Sequence, residues 1–240
     1  MVTRERKAGV VMRGKSLGLV CCSVAAILLS ASVRAGTVSF SLDYVFSGTP
    51  VPGTTWATLV FDDGGGVGSV KMKFTMNSTL SSALFISELA FNLDPAKNPS
   101  SLAFSPATKT GTFDTPAIST GADAFQADGD GKYDVLLSFE TAGPAGTKRF
   151  NPGESIEYTM TLAGITASSF DVLSAPAGGA GPFKAAAHVQ GFSSGSLGYP
   201  SVWVAPGSVV PLPAAAWMGM ALMGSLGGVS YLRKRRQTIE

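Results

Sequence analysis

The chain has 240 residues with Lys+Arg 18, Asp+Glu 16 and a formal charge of +2, a size that fits one domain with appendages. Six of the cations precede Gly36 and four follow Gly207, so the stretch between holds eight cations against fourteen carboxylates, a net charge of about −6. An acidic body lacks the clustered cationic face that displaces counterions from a phosphate backbone, which excludes nucleic acid as its partner.

At the amino end, Arg4, Arg6, Lys7, Arg13 and Lys15 form a basic stretch. The apolar run from Leu17 to Leu29 follows, too short for a membrane span and of the length of a secretion signal. Val33-Arg34-Ala35 offers the small residues that signal peptidase reads, so the cut is expected between Ala35 and Gly36. Residues 1–35 are therefore a signal peptide and the chain is exported. Cys21 and Cys22 lie within it, preceded by Val20 rather than by a lipoprotein context. The mature chain then has no cysteine, hence no disulfide, no thiolate chemistry and no cysteine metal site.

The body, residues 36–207, reads as one all-β domain. Val38, Phe40, Leu42, Tyr44 and Phe46 alternate with Thr37, Ser39, Ser41, Asp43 and Val45, the period of a half-buried strand. The same period recurs in Val70 to Met76 and Ile156 to Leu162. Further strands are expected at Trp56 to Phe61, Phe85 to Leu93, Val135 to Phe139, Phe170 to Leu173, Ala185 to Phe192 and Val202 to Val204. Glycine, proline, asparagine and serine punctuate them, and no amphipathic helix is evident. Short strands with turns between them predict an antiparallel β-sandwich, with a jelly roll as one form of it. Ser100 to Thr120 carries little periodicity and reads as a long loop.

Three features carry chemistry. From Asp123 to Asp134 the sequence reads DAFQADGDGKYD, and carboxylates at alternate positions with turn-forming glycines can gather oxygens around a hard cation. Asp128, Asp130 and Asp134 are the candidate Ca²⁺ ligands. With Asp128 and Asp130 as third and fifth positions of a calcium loop, Gly131 falls at the invariant glycine, but Gln126 stands first and Leu137 twelfth, so the bidentate glutamate is missing. The other reading is a solvated acidic turn entering the strand at Tyr133. His188 is the sole histidine, so a multi-histidine metal cluster is excluded and any Ser-His-Asp site must use it. It lies in a strand-like run, no Gly-x-Ser-x-Gly elbow exists, and a structural role at a sheet edge is expected. A glycosidase pair leaves no local signature; Glu88, Glu140, Glu154 and Glu157 are the available glutamates, and the spacing of Glu154 and Glu157 sends them to opposite faces. Trp56, Trp203, Tyr199 and Tyr44 have the apolar ring area that stacks on a pyranose, with core packing as the other role. Asn77-Ser78-Thr79 matches a glycosylation sequon, read as a chance match.

The carboxyl end, residues 208–240, has three parts. Val210-Pro211-Leu212-Pro213-Ala214 precedes an uncharged run, 215–232, followed by Arg233-Lys234-Arg235-Arg236. At about 1.5 Å per residue the run just spans a hydrocarbon core of about 30 Å. The four cations stay cytoplasmic, which leaves the body outside. The prolines keep the preceding segment extended, where a protease can reach it.

Motif, helix and basic end together resemble the tail of bacterial exosortase-sorted proteins, the PEP-CTERM class, in its VPLPA-CTERM variant. Sortase-type LPxTG is absent, and Gly227-Gly228 lies inside the run rather than before it as a rhombosortase-type tail requires. The resemblance implies a membrane-anchored precursor, an exosortase-like membrane protease as partner beside signal peptidase, release to the cell surface or beyond, and association with exopolysaccharide or biofilm matrix. The expected function is a non-enzymatic extracellular protein without a certain cofactor; the alternatives are a carbohydrate-binding module and a glycoside-active hydrolase.

Overall fold

The computed structural model describes residues 36–143, 147–192 and 200–207. The expected signal peptide, residues 1–35, the expected sorting region, residues 208–240, and Tyr199 lie outside the described residues. Among the described residues no helix is long and apolar enough to cross a membrane.

The described chain is all-β, with three short 3-10 turns as its only helical elements. The strands are β1 Thr37–Ser47, β2 Ala57–Asp62, β3 Ser69–Met76, β4 Phe85–Phe91, β5 Ala103–Phe104, β6 Thr108–Thr110, β7 Ala117–Ala127, β8 Asp130–Ser138, β9 Ser155–Thr161, β10 Ala185–Gln190 and β11 Ser201–Pro206. They form one sheet in the order β5-β9-β3-β2-β1-β11-β10-β4-β8-β7, with β6 also on β9. Every pairing between named strands is antiparallel.

Strands far apart in that order share one core, so the sheet curls into a half-barrel with its apolar face inward. Phe61 of β2 stacks on Phe170 at 4.2 Å and meets Phe91 of β4 edge-on at 5.4 Å. Phe74 of β3 stacks on Phe150 at 5.3 Å, and Phe150 reaches Phe139, just past β8, at 4.8 Å. Each fully buried phenylalanine contributes about 1.5–3 kcal/mol of transfer free energy, and each favourable ring pair about 0.5–1.5 kcal/mol more. With no cysteine in the described residues, this packing is the main cohesive element.

The regular alternation in β3 and β9 survives intact: Val70, Met72, Phe74 and Met76 are buried, as are Ile156, Tyr158 and Met160. In β1 it does not. Register shifts against β11 between Leu42 and Tyr44, and again between Val45 and Ser47, insert an extra residue and reverse the side-chain parity. Val45 therefore turns into the core, while Tyr44 is 43% exposed and Phe46 packs on the outer face. The expectation that Tyr44 and Phe46 share a face with Val38 to Leu42 is corrected by this bulge.

Two further expectations change. Phe170 to Leu173 is no strand: Ala167–Phe170 is a 3-10 turn started by a Thr166/Ser169 capping box, and Phe170 is the apolar plug this turn pushes into the core. Ala117–Ala127 is a full strand inside and beyond the stretch read as loop. It is an edge strand, largely exposed or half-buried, so it needs no apolar stripe to hold its place.

Both edges are blunted. β5 and β6 have two and three residues, and β7 loses register between Thr120 and Phe125. Short and irregular edges resist pairing with other chains.

Candidate functional site

The acidic stretch is a hairpin. β7 and β8 are joined through Asp128-Gly129, both with positive φ, 50° and 79°, as the mirror-image turn of a two-residue hairpin requires. Asp128 stands at the tip. Asp130 is buried and its Oδ1 accepts the Ala180 N–H at 2.7 Å. The backbone passes so closely that a Cβ on Gly179 would lie 1.2 Å from that oxygen, so glycine is required there. Asp134 is buried as well: its Oδ2 accepts the Leu93 N–H and its Oδ1 the Asp123 N–H, each at 2.9 Å. That second bond holds Asp123 in its left-handed conformation, φ 51°, at the irregularity in β7.

Asp128, Asp130 and Asp134 thus serve a turn, the 174–183 loop and the β7 irregularity respectively. Among the described residues no group of three or more His, Cys, Asp or Glu is gathered as a metal ion needs. In the described structure two of these carboxylates meet backbone amides and the third opens an Asp-Gly turn.

His188 lies in β10, inside the sheet rather than at its edge, with Trp203 of β11 and Glu88 of β4 as its register partners. The expected place at a sheet edge is therefore corrected. Its ring stacks flat on Trp203, centroids 4.5 Å apart and planes within 1°. Nδ1 is 3.0 Å from Ser87 Oγ and 3.2 Å from Gln190 Nε2, and Gln190 Nε2 also donates to Ser87 Oγ at 2.9 Å. Burial lowers the His188 pKa, opposed by the negative charge of Asp128, so the neutral ring is favoured. Beside it, burial raises the Glu88 pKa. A Ser-His contact exists here, but Ser87 is only 3% exposed and its hydroxyl also accepts from Gln190. A nucleophile needs access to its substrate, and Ser87 is closed off from solvent.

The remaining glutamates are dispersed. Glu154 bridges two loops, its Oε1 accepting from the Thr112 N–H at 2.9 Å and its Oε2 from the Asn151 N–H at 2.7 Å. Glu140 accepts the Ala142 and Thr141 amides, which lower its pKa. Glu157 sits opposite Lys73 across β9 and β3. Trp56 is buried against Phe192, and Trp203 is 9% exposed beneath His188 and Phe46. Tyr44 alone of the described candidate sugar-stacking rings is exposed, and it leans on Phe183 at 5.9 Å. The Asn77 amide donates to Thr55 O at 2.7 Å, which ties up the nitrogen a glycan would use.

An open groove of ≈ 990 Å³ lies between the first half of β1 and the 171–184 segment. Val38, Phe40, Pro182, Phe183 and Leu173 give it an apolar lining, and Leu173 is 57% exposed. Lys184 pairs with Asp171 at its rim and lies 5.8 Å from the Phe40 ring centroid. Composition gave no signal for this groove, because it arises from where β11 stops.

No protein-family model, curated protein or solved structure matches the chain. The described chain is an all-β antiparallel protein in which Ser87, Glu140 and Glu154 hydrogen-bond within the structure.

Proposed function

We propose that this chain is an exported, non-enzymatic extracellular protein, anchored by its carboxyl-terminal helix, then sorted and cleaved by an exosortase-like protease and associated with exopolysaccharide in a biofilm matrix. The observation that carries this reading is the three-part tail: Val210-Pro211-Leu212-Pro213-Ala214, the uncharged run 215–232 and Arg233-Lys234-Arg235-Arg236. Translocation begins at the signal peptide and stops at that run, because each cation costs about 2.5–3.5 kcal/mol at the centre of a membrane helix. The body carries a net charge of about −6, which suits a matrix rich in cations. Support for a non-enzymatic role comes from the engagement of Ser87, Glu140 and Glu154 with neighbouring groups. The finer reading of the fold is a sandwich whose two layers are the halves of the curled sheet, joined through β1 and β11.

A reporter fused after Glu240, in cells lacking the sorting protease, tests the topology. The expected result is activity of a cytoplasm-only reporter with the chain retained in the membrane. Activity of a periplasm-only reporter contradicts it.

A further inference from the structure

We infer that the groove beside β1 takes an extended, uncharged peptide segment of another protein, paired through its main chain with Thr37 and Ser39. The register carries this. β1 is paired with β2 from Thr37 onward, but on its other edge the pairing with β11 begins only at Leu42, opposite Pro206. The ladder stops there, because the Gly207 N–H goes to Asp43 Oδ1 at 2.9 Å. Gly36 O accepts the Asp63 N–H, so the backbone groups of Gly36, Val38 and Phe40 face β2. Those of successive strand residues point to opposite edges, and Thr37 and Ser39 therefore direct their N–H and C=O into the groove. Among the described residues no strand meets them.

The far wall of the groove is Pro182, Phe183 and Lys184, and its main chain is already engaged. Proline has no N–H, the Phe183 N–H donates to Ser174 Oγ at 3.1 Å, and the Phe183 and Lys184 carbonyls accept from the Asn92 side chain at 3.2 and 3.1 Å. A ligand in the groove finds its main-chain partners on β1.

The same surroundings choose between ligand classes. A small polar ligand such as a sugar is oriented by a few placed polar groups, but the carboxylates here are occupied, Asp43 with Gly207 and Asp171 with Lys184. What remains is apolar. Leu173 is 57% exposed in the lining, and Tyr44, 43% exposed, leans on Phe183. These are two of the three large apolar side chains exposed among the described residues, and such clustering marks an interaction surface. Alternating N–H and C=O groups beside an apolar trough match a polypeptide strand, which draws affinity from main-chain hydrogen bonds and specificity from alternate side chains. The segment is uncharged because a charge would lose its water against this lining. The edge strands of a second copy suit the groove poorly: β5 and β6 have two and three residues, and β7 loses register between Thr120 and Phe125.

Titration of the full-length chain in detergent micelles with a capped, fluorescent Thr-Val-Thr-Val-Thr peptide tests the groove. Saturable binding is expected. Only every second amide of a bound strand faces β1, so two versions of the peptide, N-methylated at alternate residues, should behave differently. One should bind roughly tenfold or more weakly, and the other about as well as the parent. Leu173→Asp, at an exposed position, should weaken the parent peptide by roughly tenfold with the circular dichroism spectrum unchanged. Absence of saturable binding, equal effects of the two methylated versions, or indifference to Leu173→Asp overturns the assignment. So does binding of a cello-oligosaccharide in place of the peptide, or self-association that Leu173→Asp removes while no peptide binds.

Discussion

The two faces of the curled sheet are built by different means. The inner face is held by volume: rings from β2, β3, β4 and the connecting segments interlock around Phe61 and Phe150. The outer face of β4, β10 and β11 is held by direction. Asp130, Asp134, Ser174 and Asn92 accept from or donate to individual backbone groups, and the smaller cluster around Tyr133 and Trp203 fills the space they leave. Apolar area tolerates approximate placement, whereas a buried carboxylate costs free energy unless its acceptors are met. A substitution should therefore act by volume on the inner face and by lost partners on the outer one.

The largest effect is expected inside. Phe61→Ala empties a fully buried site and should cost about 3–5 kcal/mol in denaturant unfolding. On the outer face, Asp134→Ala leaves the Leu93 and Asp123 amides without their acceptor and should cost about 2–3 kcal/mol, the same with or without added calcium. A loss that appears only in calcium would show these carboxylates working as ligands and would break the comparison. Tyr44→Ser, on a ring 43% exposed, should change stability by less than about 0.5 kcal/mol. The smallest effect concerns pH. His188 has a lowered pKa in the folded state, so the unfolded chain takes up the proton first on acidification, and stability falls as pH drops below the ordinary histidine value. His188→Gln should flatten that decline in melting temperature. Glu88, whose pKa is raised, acts oppositely: its contribution is full below the ordinary carboxylate range and is lost as pH rises through the raised value.

Period-two patterns located β3 and β9, whose buried residues alternate along the strand, while β2, β4 and β10 were legible as short apolar runs between turns, β4 and most of β10 being buried on both faces. What escaped was whatever depends on a partner strand. The β1 bulge reverses parity in the middle of an apparently perfect alternation of Leu42, Tyr44 and Phe46, and only the pairing with β11 reveals it. Edge strand β7 has few large apolar residues, so AISTGADAFQA resembles a loop until Asp134 and the hairpin fix it. At Asp128 to Asp134 the composition was legible and its use was not, since an aspartate that binds a cation and one that caps amides share the same residue types. The Ser87–His188 contact joins residues 101 apart in sequence and has no local signature.

The central claim is that this body travels between two signals, of which the second is cut. Intact-mass measurement of the protein recovered from culture medium, matrix and membrane tests it most directly. The account predicts that released protein begins at Gly36 and ends between Val210 and Ala214, with the uncut tail confined to the membrane fraction. Released protein that still carries Arg233 to Arg236 would contradict it.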